Sequence, residues 1–165
     1  MSAYELAQLN IGVIRGPMDS PIMAEFAANL ERVNAMADHS PGFLWRLQTD
    51  AGDATALRPF GDDSTLANMS VWKDVESLIA FVYRSGHAEI MRRRREWFER
   101  MEQPFLVLWW VPRGHRPEIA EAKARLELLR TAGPTAAAFN FRKAFPPPDA
   151  APMVPPVSFG DTCPA

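Results

Sequence analysis

Along the chain the apolar positions switch between a spacing of two and a spacing of three to four, and each switch marks an element. Tyr4 to Ile14 reads as a first strand, with Gln8 and Asn10 on the face of Leu6 and with Ala7, Leu9 and Ile11 on the other. Ser20-Pro21 supplies a helix cap followed by proline at the first helical position. The helix it opens has Met23, Phe26, Leu30, Val33 and Ala37 as a buried stripe, and Ser40-Pro41-Gly42 ends it. Phe43 to Gln48 is a second strand with Phe43, Trp45 and Leu47 on one face and Arg46 on the other; Thr49 to Ser64 is a connection, and Thr65 to Trp72 a third strand. Asp74 caps a helix with Val75, Leu78, Ile79 and Val82 inward, which Ser85-Gly86 interrupts. A second helical segment, His87 to Met101, carries Ile90, Met91, Trp97, Phe98 and Met101 on one stripe, and His87 and Arg94 fall on that same face. Two polar groups on a buried stripe need partners.

Pro104 stops the helix, and Phe105 to Val111 is continuously apolar, the pattern of a central strand covered on both sides. A third amphipathic helix follows Pro117 through Ile119, Ala122, Leu126 and Leu129 to Gly133-Pro134. The order is βαββαβ with an extra C-terminal helix. With right-handed crossovers this is the α+β, ferredoxin-like split βαβ arrangement, an antiparallel four-stranded sheet with helices on one face. The other face is expected to be open and to stack on a second copy, making a homodimer. The domain spans 1–145; residues 146–165, rich in proline, read as an extended tail, disordered in isolation.

Composition narrows the function classes. At 165 residues the chain is one domain, able to bury roughly two-thirds of its unfolded surface. A net charge of -2 gives no general attraction to nucleic acid or to an anionic membrane, and Arg92 to Arg95 wrap around a helix as a solvated face. The single cysteine, Cys163, closes no internal disulfide, and no apolar run approaches the roughly 20 residues of a membrane span. No export signal opens the sequence. A cytoplasmic, soluble protein is expected.

His87 leads the candidate chemistry, because an imidazole on an apolar helix face can act as a general base near neutral pH. Arg46, in an otherwise apolar strand, can aim its planar fork at a carboxylate or enolate, and Arg84 and Arg94 carry the same possibility. Tyr83 joins His87 and Arg46 in the candidate catalytic set. Trp45, Trp72, Trp97 and Trp109 can form the wall of a flat aromatic pocket, and Asn10, Gln8 and Asn68 can hydrogen-bond a substrate carbonyl or stabilise an oxyanion. Each has a structural alternative: a capping histidine, a surface salt bridge, core packing, cross-strand amide pairs. There is no metal-ligand cluster, phosphate loop, Ser-His-Asp context or basic stripe with interleaved aromatics. A nucleotide-dependent enzyme, a zinc hydrolase and a DNA-binding protein are thereby disfavoured.

Several strings in order resemble one bacterial family, the domain of unknown function numbered 3291. They are Tyr4 to Asn10, Ser40 to Gln48, Ser70-Val71-Trp72, Phe81 to His87, Arg92 to Phe98 and Leu108 to Pro117. That family is similar in fold to the dimeric α+β barrels, which include antibiotic-biosynthesis monooxygenases and haem-degrading monooxygenases. The resemblance implies a small-molecule enzyme of monooxygenase-like type, acting on an apolar or aromatic metabolite with no cofactor or with haem. In the haem case His87, on the second helix, would be the iron ligand. Without a cofactor the substrate must itself donate an electron to dioxygen, which implies an electron-rich phenolic or polyketide-like compound. A non-oxidative isomerase, dehydratase or cyclase, and a non-catalytic ligand-binding dimer, are the alternatives on the same scaffold.

Overall fold

The computed structural model describes residues 1–49, 55 and 58–151. Part of the expected 49–64 connection, and the tail from residue 152 with Cys163, lie outside the described residues. The elements are β1 (Tyr4–Val13), a 3-10 turn (Pro21–Met23), α1 (Ala24–Asp38), β2 (Phe43–Arg46), β3 (Thr65–Trp72), α2 (Val75–Arg84), α3 (His87–Arg92), α4 (Arg94–Trp97), β4 (Leu106–Pro112) and α5 (Ile119–Ala132). The four strands form one antiparallel sheet in the order β2-β3-β1-β4. This is the α+β, ferredoxin-like arrangement with its extra helix. Among the described residues no helix is long and apolar enough to cross a membrane.

The ladder register sorts the side chains onto two faces. Leu6 pairs with Trp72, Gln8 with Ser70 and Asn10 with Asn68, and these share one face with Leu108 and Trp110 of β4. Ala7, Leu9, Met69, Val71, Val107 and Trp109 take the other. α1 to α4 lie on the first face. The second face, expected to be open, is covered: α5 returns across it and buries Ala122, Leu126 and Leu129 against those strand residues. An amphipathic helix that directly follows an edge strand has an exposed apolar sheet surface at hand, and burying both is the favourable solution.

β4 is a sheet edge and not a central strand. It reads as central because helices cover both its faces, and its free edge is closed by Phe139, which exchanges two 2.8 Å backbone hydrogen bonds with Leu108. Phe139, Phe141 and Ala144 are buried with Trp72 and Leu6. The folded chain continues past residue 145: the Asp149 carboxylate accepts from Ser2 Oγ at 2.7 Å and from the Ala3 amide at 2.6 Å.

Two local details decide what faces the first side of the sheet. A register shift between Phe43 and Trp45 puts these two residues on opposite faces, against the simple alternation expected of them, and turns Arg46 to the side of Phe43. The second helical segment breaks again at Arg93 and ends at Trp97, four residues before Met101; Phe98 is extended and bridges to Ile14. Gly42 makes the entry to β2 with φ of 85°, and a Cβ there would lie 2.5 Å from Ser77 Cβ. Gly42→Ala therefore combines left-handed strain with overpacking against the first turn of α2. A loss of about 2–4 kcal/mol in urea unfolding is expected; a change under half of that would mean the turn relaxes freely.

Candidate functional site

The first sheet face carries polar side chains in mid-strand, which no packed core accepts without partners or space. β1 contributes Gln8 and Asn10, and β3 contributes Asn68 and Ser70. Every residue of β3 is buried except Asn68. The reason is a cavity. α1 crosses above this part of the sheet without sealing onto it, so that only Ala37 along its length is fully buried. Phe26, Leu30 and Val33, expected as core, instead form the roof of the space below.

The space has two adjoining chambers, of about 130 Å³ and about 50 Å³. The larger is walled by Phe26, Leu30, Leu66, Ile90, Trp97 and Phe98, and the smaller by Phe43, Trp72, Leu78, Phe81, Leu106 and Phe141. Seven residues line both: Asn10, Val33, Asn34, Arg46, Asn68, His87 and Met91. Five of the seven are polar, so the space is a polar waist between two apolar lobes. Gly12 makes room beside it, since a Cβ there would lie 2.8 Å from Phe98 Cε1 and 3.0 Å from Arg94 Nη2.

His87 reaches the waist because Ser85-Gly86 ends α2 and restarts the chain as α3; Ser85 Oγ accepts the His87 amide at 3.1 Å. Its ring packs on Phe81 with centroids 4.7 Å apart. Nδ1 is enclosed and has no hydrogen-bond partner. Burial lowers the His87 pKa from 6.5 to about 4, and the Val82 carbonyl offsets only part of that. The imidazole is neutral at pH 7. A carbonyl can only accept, so Val82 holds the ring proton on the nitrogen it faces and leaves a lone pair on the other.

That shift carries a sign for stability. The unfolded chain takes up the proton as pH falls through 6.5 and the folded chain only near 4. Stability contributed by neutral His87 is therefore complete above pH 6.5, drains away between 6.5 and about 4, and changes no further below. Urea midpoints measured across that window are expected to fall in the parent protein and to fall less steeply in His87→Gln. Equal slopes would mean that the imidazole is not held neutral.

Two guanidinium groups also line the space, and no carboxylate does so among the described residues. Arg46, with its side chain 12% exposed, is paired to Asp38 at the end of α1 (2.8 Å). Arg94 donates to the Ile11 carbonyl at 2.8 Å and lies between the rings of Phe98 (4.8 Å) and Phe105 (4.6 Å). Beneath them runs an amide and hydroxyl network: Gln8 Nε2 donates to Asn68 Oδ1 at 2.6 Å and to Ser70 Oγ at 2.9 Å, and Trp72 Nε1 donates to Ser70 Oγ at 2.8 Å. Arg93 closes the roof from outside, bonding Glu25 of α1 and Glu96 of α4 while packing over Trp97.

The structure thus gathers His87, Arg46, Arg94, Gln8, Asn10, Asn68, Trp72 and Trp97 around one space. It does not bring the other candidates there. Trp45 lies on the opposite sheet face through the β2 register shift, and Trp109, on that face too, donates to Glu121 Oε1 at 2.9 Å. Tyr83 packs edge-on to Phe141 and Arg84 is exposed at the end of α2; neither lines a chamber. Asn29 and Asn34 of α1 escape the sequence reading. Their signal is their spacing, for they sit beside Leu30 and Val33 within the apolar stripe, where a sealed helix would carry apolar residues.

Haem does not fit. Chambers of about 130 and 50 Å³ fall short of the roughly 300 Å³ at which pockets for drug-sized ligands begin, and the porphyrin is larger still. Among the described residues no group of three His, Cys, Asp or Glu is placed to hold a metal ion.

No curated protein matches the chain. Among solved structures it is similar to SnoaB, a cofactor-independent oxygenase from Streptomyces nogalater, at 22% identity over 70% of this chain and 100% of that one, with a TM-score of 0.48. NE2512, a protein of unknown function from Nitrosomonas europaea, is similar at 13% identity over 70% of this chain and 95% of that one, with a TM-score of 0.43. The model of the domain of unknown function DUF3291 matches residues 5–154, and the chain belongs to that family.

Proposed function

We propose that this chain is a small-molecule enzyme that removes a proton from an aromatic substrate at the polar waist and lets the resulting anion react with dioxygen. One observation carries the reading: His87 is the only described lining side chain able to accept a proton at neutral pH, and it stands neutral among amides. In an empty cavity it is a weak base. An anion formed beside it returns the Coulombic stabilisation that burial withheld, and Asn68, Asn10 and the two guanidinium groups share the new charge.

Cofactor-free oxygenation asks little more of a protein: a base, a held anion and a dry apolar chamber. For a phenol the balance closes without a second reductant. The phenolate gives one electron to dioxygen, the two radicals join at a ring carbon, and loss of water yields a quinone, so that phenol and dioxygen give quinone and water. His87 takes the first proton and returns one to the leaving hydroxide. The oxygenase activity implied by the family resemblance is this same chemistry.

The test is oxygen uptake by metal-stripped protein with single-ring phenols and hydroquinones, beside the same assay for His87→Gln. Uptake that depends on His87 is the expected result. Binding without uptake, with His87-dependent exchange of substrate protons for solvent deuterium, would replace oxygenation by proton shuffling, as in an isomerase. Neither binding nor uptake would end the enzyme reading.

A further inference from the structure

Gln8 is 4% exposed in the middle of β1 and lines only the smaller chamber. Its hydrogen bonds determine what a neighbour can do. Asn68 Oδ1 accepts from Gln8 Nε2 at 2.6 Å, and an amide whose oxygen is engaged presents its NH2 group instead. Asn68 is also the one exposed residue of β3 and lines both chambers.

The orientation of Gln8 is therefore the switch. If its amide were reversed, the oxygen would accept from Asn68 Nδ2, and Asn68 would show an oxygen to the waist. Two contacts bear on this. Ser70 Oγ, which already accepts the Trp72 indole N–H at 2.8 Å, lies 2.9 Å from Gln8 Nε2 and tolerates either orientation, because its own O–H can rotate. The main-chain carbonyl of Asn68, 3.5 Å from the same nitrogen, is an acceptor only and tolerates just one. An oxygen of Gln8 placed there would face another oxygen.

We infer that Gln8 is a positioning residue: it holds Asn68 with its Nδ2 hydrogens turned into the waist, making Asn68 a donor to an anionic substrate oxygen. The inference rests on the proposed function for the anion itself, while the orientation belongs to the protein alone. It separates two classes of ligand. A phenolate, enolate or carboxylate oxygen is welcome opposite an N–H pair, and a ligand offering only N–H donors is not.

Two measurements decide it. In the free, isotope-labelled full chain, a coupling across the hydrogen bond from Gln8 15Nε2 to the Asn68 side-chain carbonyl carbon is expected. Coupling from Asn68 15Nδ2 to the Gln8 side-chain carbonyl carbon would overturn the inference whatever the protein binds.

The second measurement uses 4-nitrophenol, a single-ring phenol whose phenolate alone is yellow, so that absorbance against pH reads the ionisation of the bound molecule. In the parent protein the bound midpoint should lie below that of the free phenol. Gln8→Glu places an acceptor where Gln8 donates, turns Asn68 round and is expected to raise the midpoint by about one unit, tenfold in relative affinity for the phenolate. Gln8→Met, uncharged and of similar length, should give a smaller rise in the same direction. In an Asn68→Ala background Gln8→Met should be silent, and Gln8→Glu should keep only the direct effect of its added charge. A rise with Gln8→Met that survives in that background would mean that Gln8 acts directly on the ligand, which overturns the positioning role. Failure of the parent protein to bind nitrophenol would sink the proposed function instead, and the coupling experiment would still judge Gln8.

Discussion

His87→Gln should lower turnover of a bound phenol by about 10²–10⁴-fold, the usual contribution of a positioned acid or base. Glutamine keeps a polar, uncharged side chain of similar reach at the waist but has no lone pair that takes a proton near neutrality. KM should move far less than kcat, because the apolar lobes and the guanidinium groups are untouched. The pH profile supplies an independent check: with a free-enzyme pKa near 4, kcat/KM should show no histidine limb between pH 5 and 8. A limb near 6.5 in the parent enzyme would mean that water reaches the imidazole and that it is not held neutral.

Trp97→Ala should cost about 3–5 kcal/mol of unfolding free energy, the range for a large aromatic removed from a packed site. Trp97 is 2% exposed, stands against Phe26 with centroids 5.6 Å apart, and is covered outside by Arg93 at 5.0 Å. Its loss removes the wall between cavity and solvent as well as the packing. Indole added to the variant should restore part of the lost stability by refilling the hole, as apolar cavities take up apolar rings. A loss below about 1.5 kcal/mol, with no response to indole, would show that α1 collapses onto α4 and that the larger chamber is not rigid.

Much of the site was legible beforehand because polar residues had been placed where periodicity calls for apolar ones. Gln8, Asn10 and Asn68 interrupt strands, and His87 and Arg94 share a helix stripe with Ile90, Met91 and Trp97. Such interruptions mark either a satisfied core group or a space to be filled, and here they converge on one space. Alternation sets Arg46 on the face opposite Phe43, whereas the structure turns it to the side of Phe43, because a bulge leaves no mark in the alternation of four residues. Only residue type points to Trp45 and Trp109. Aromatic character does not record which face of a sheet a residue takes, and both lie on the face that α5 covers.

What the sequence determined by itself was the list of elements, the second break at Arg93 excepted: the apolar periods, the proline and glycine stops, the Asp74 cap and the Ser85-Gly86 break each act within a few residues, so local spacing carries them. The tertiary structure alone decided three other things. α5 covers the second sheet face, Phe139 closes the free edge of β4, and α1 stands off the sheet so that its stripe roofs a cavity. These depend on pairings between residues far apart in the chain, where several apolar surfaces compete for the same partner and only their simultaneous packing chooses among them. The waist is a product of that choice: β1, α1, β2, β3 and α3 each supply part of it, and no one of them contains it.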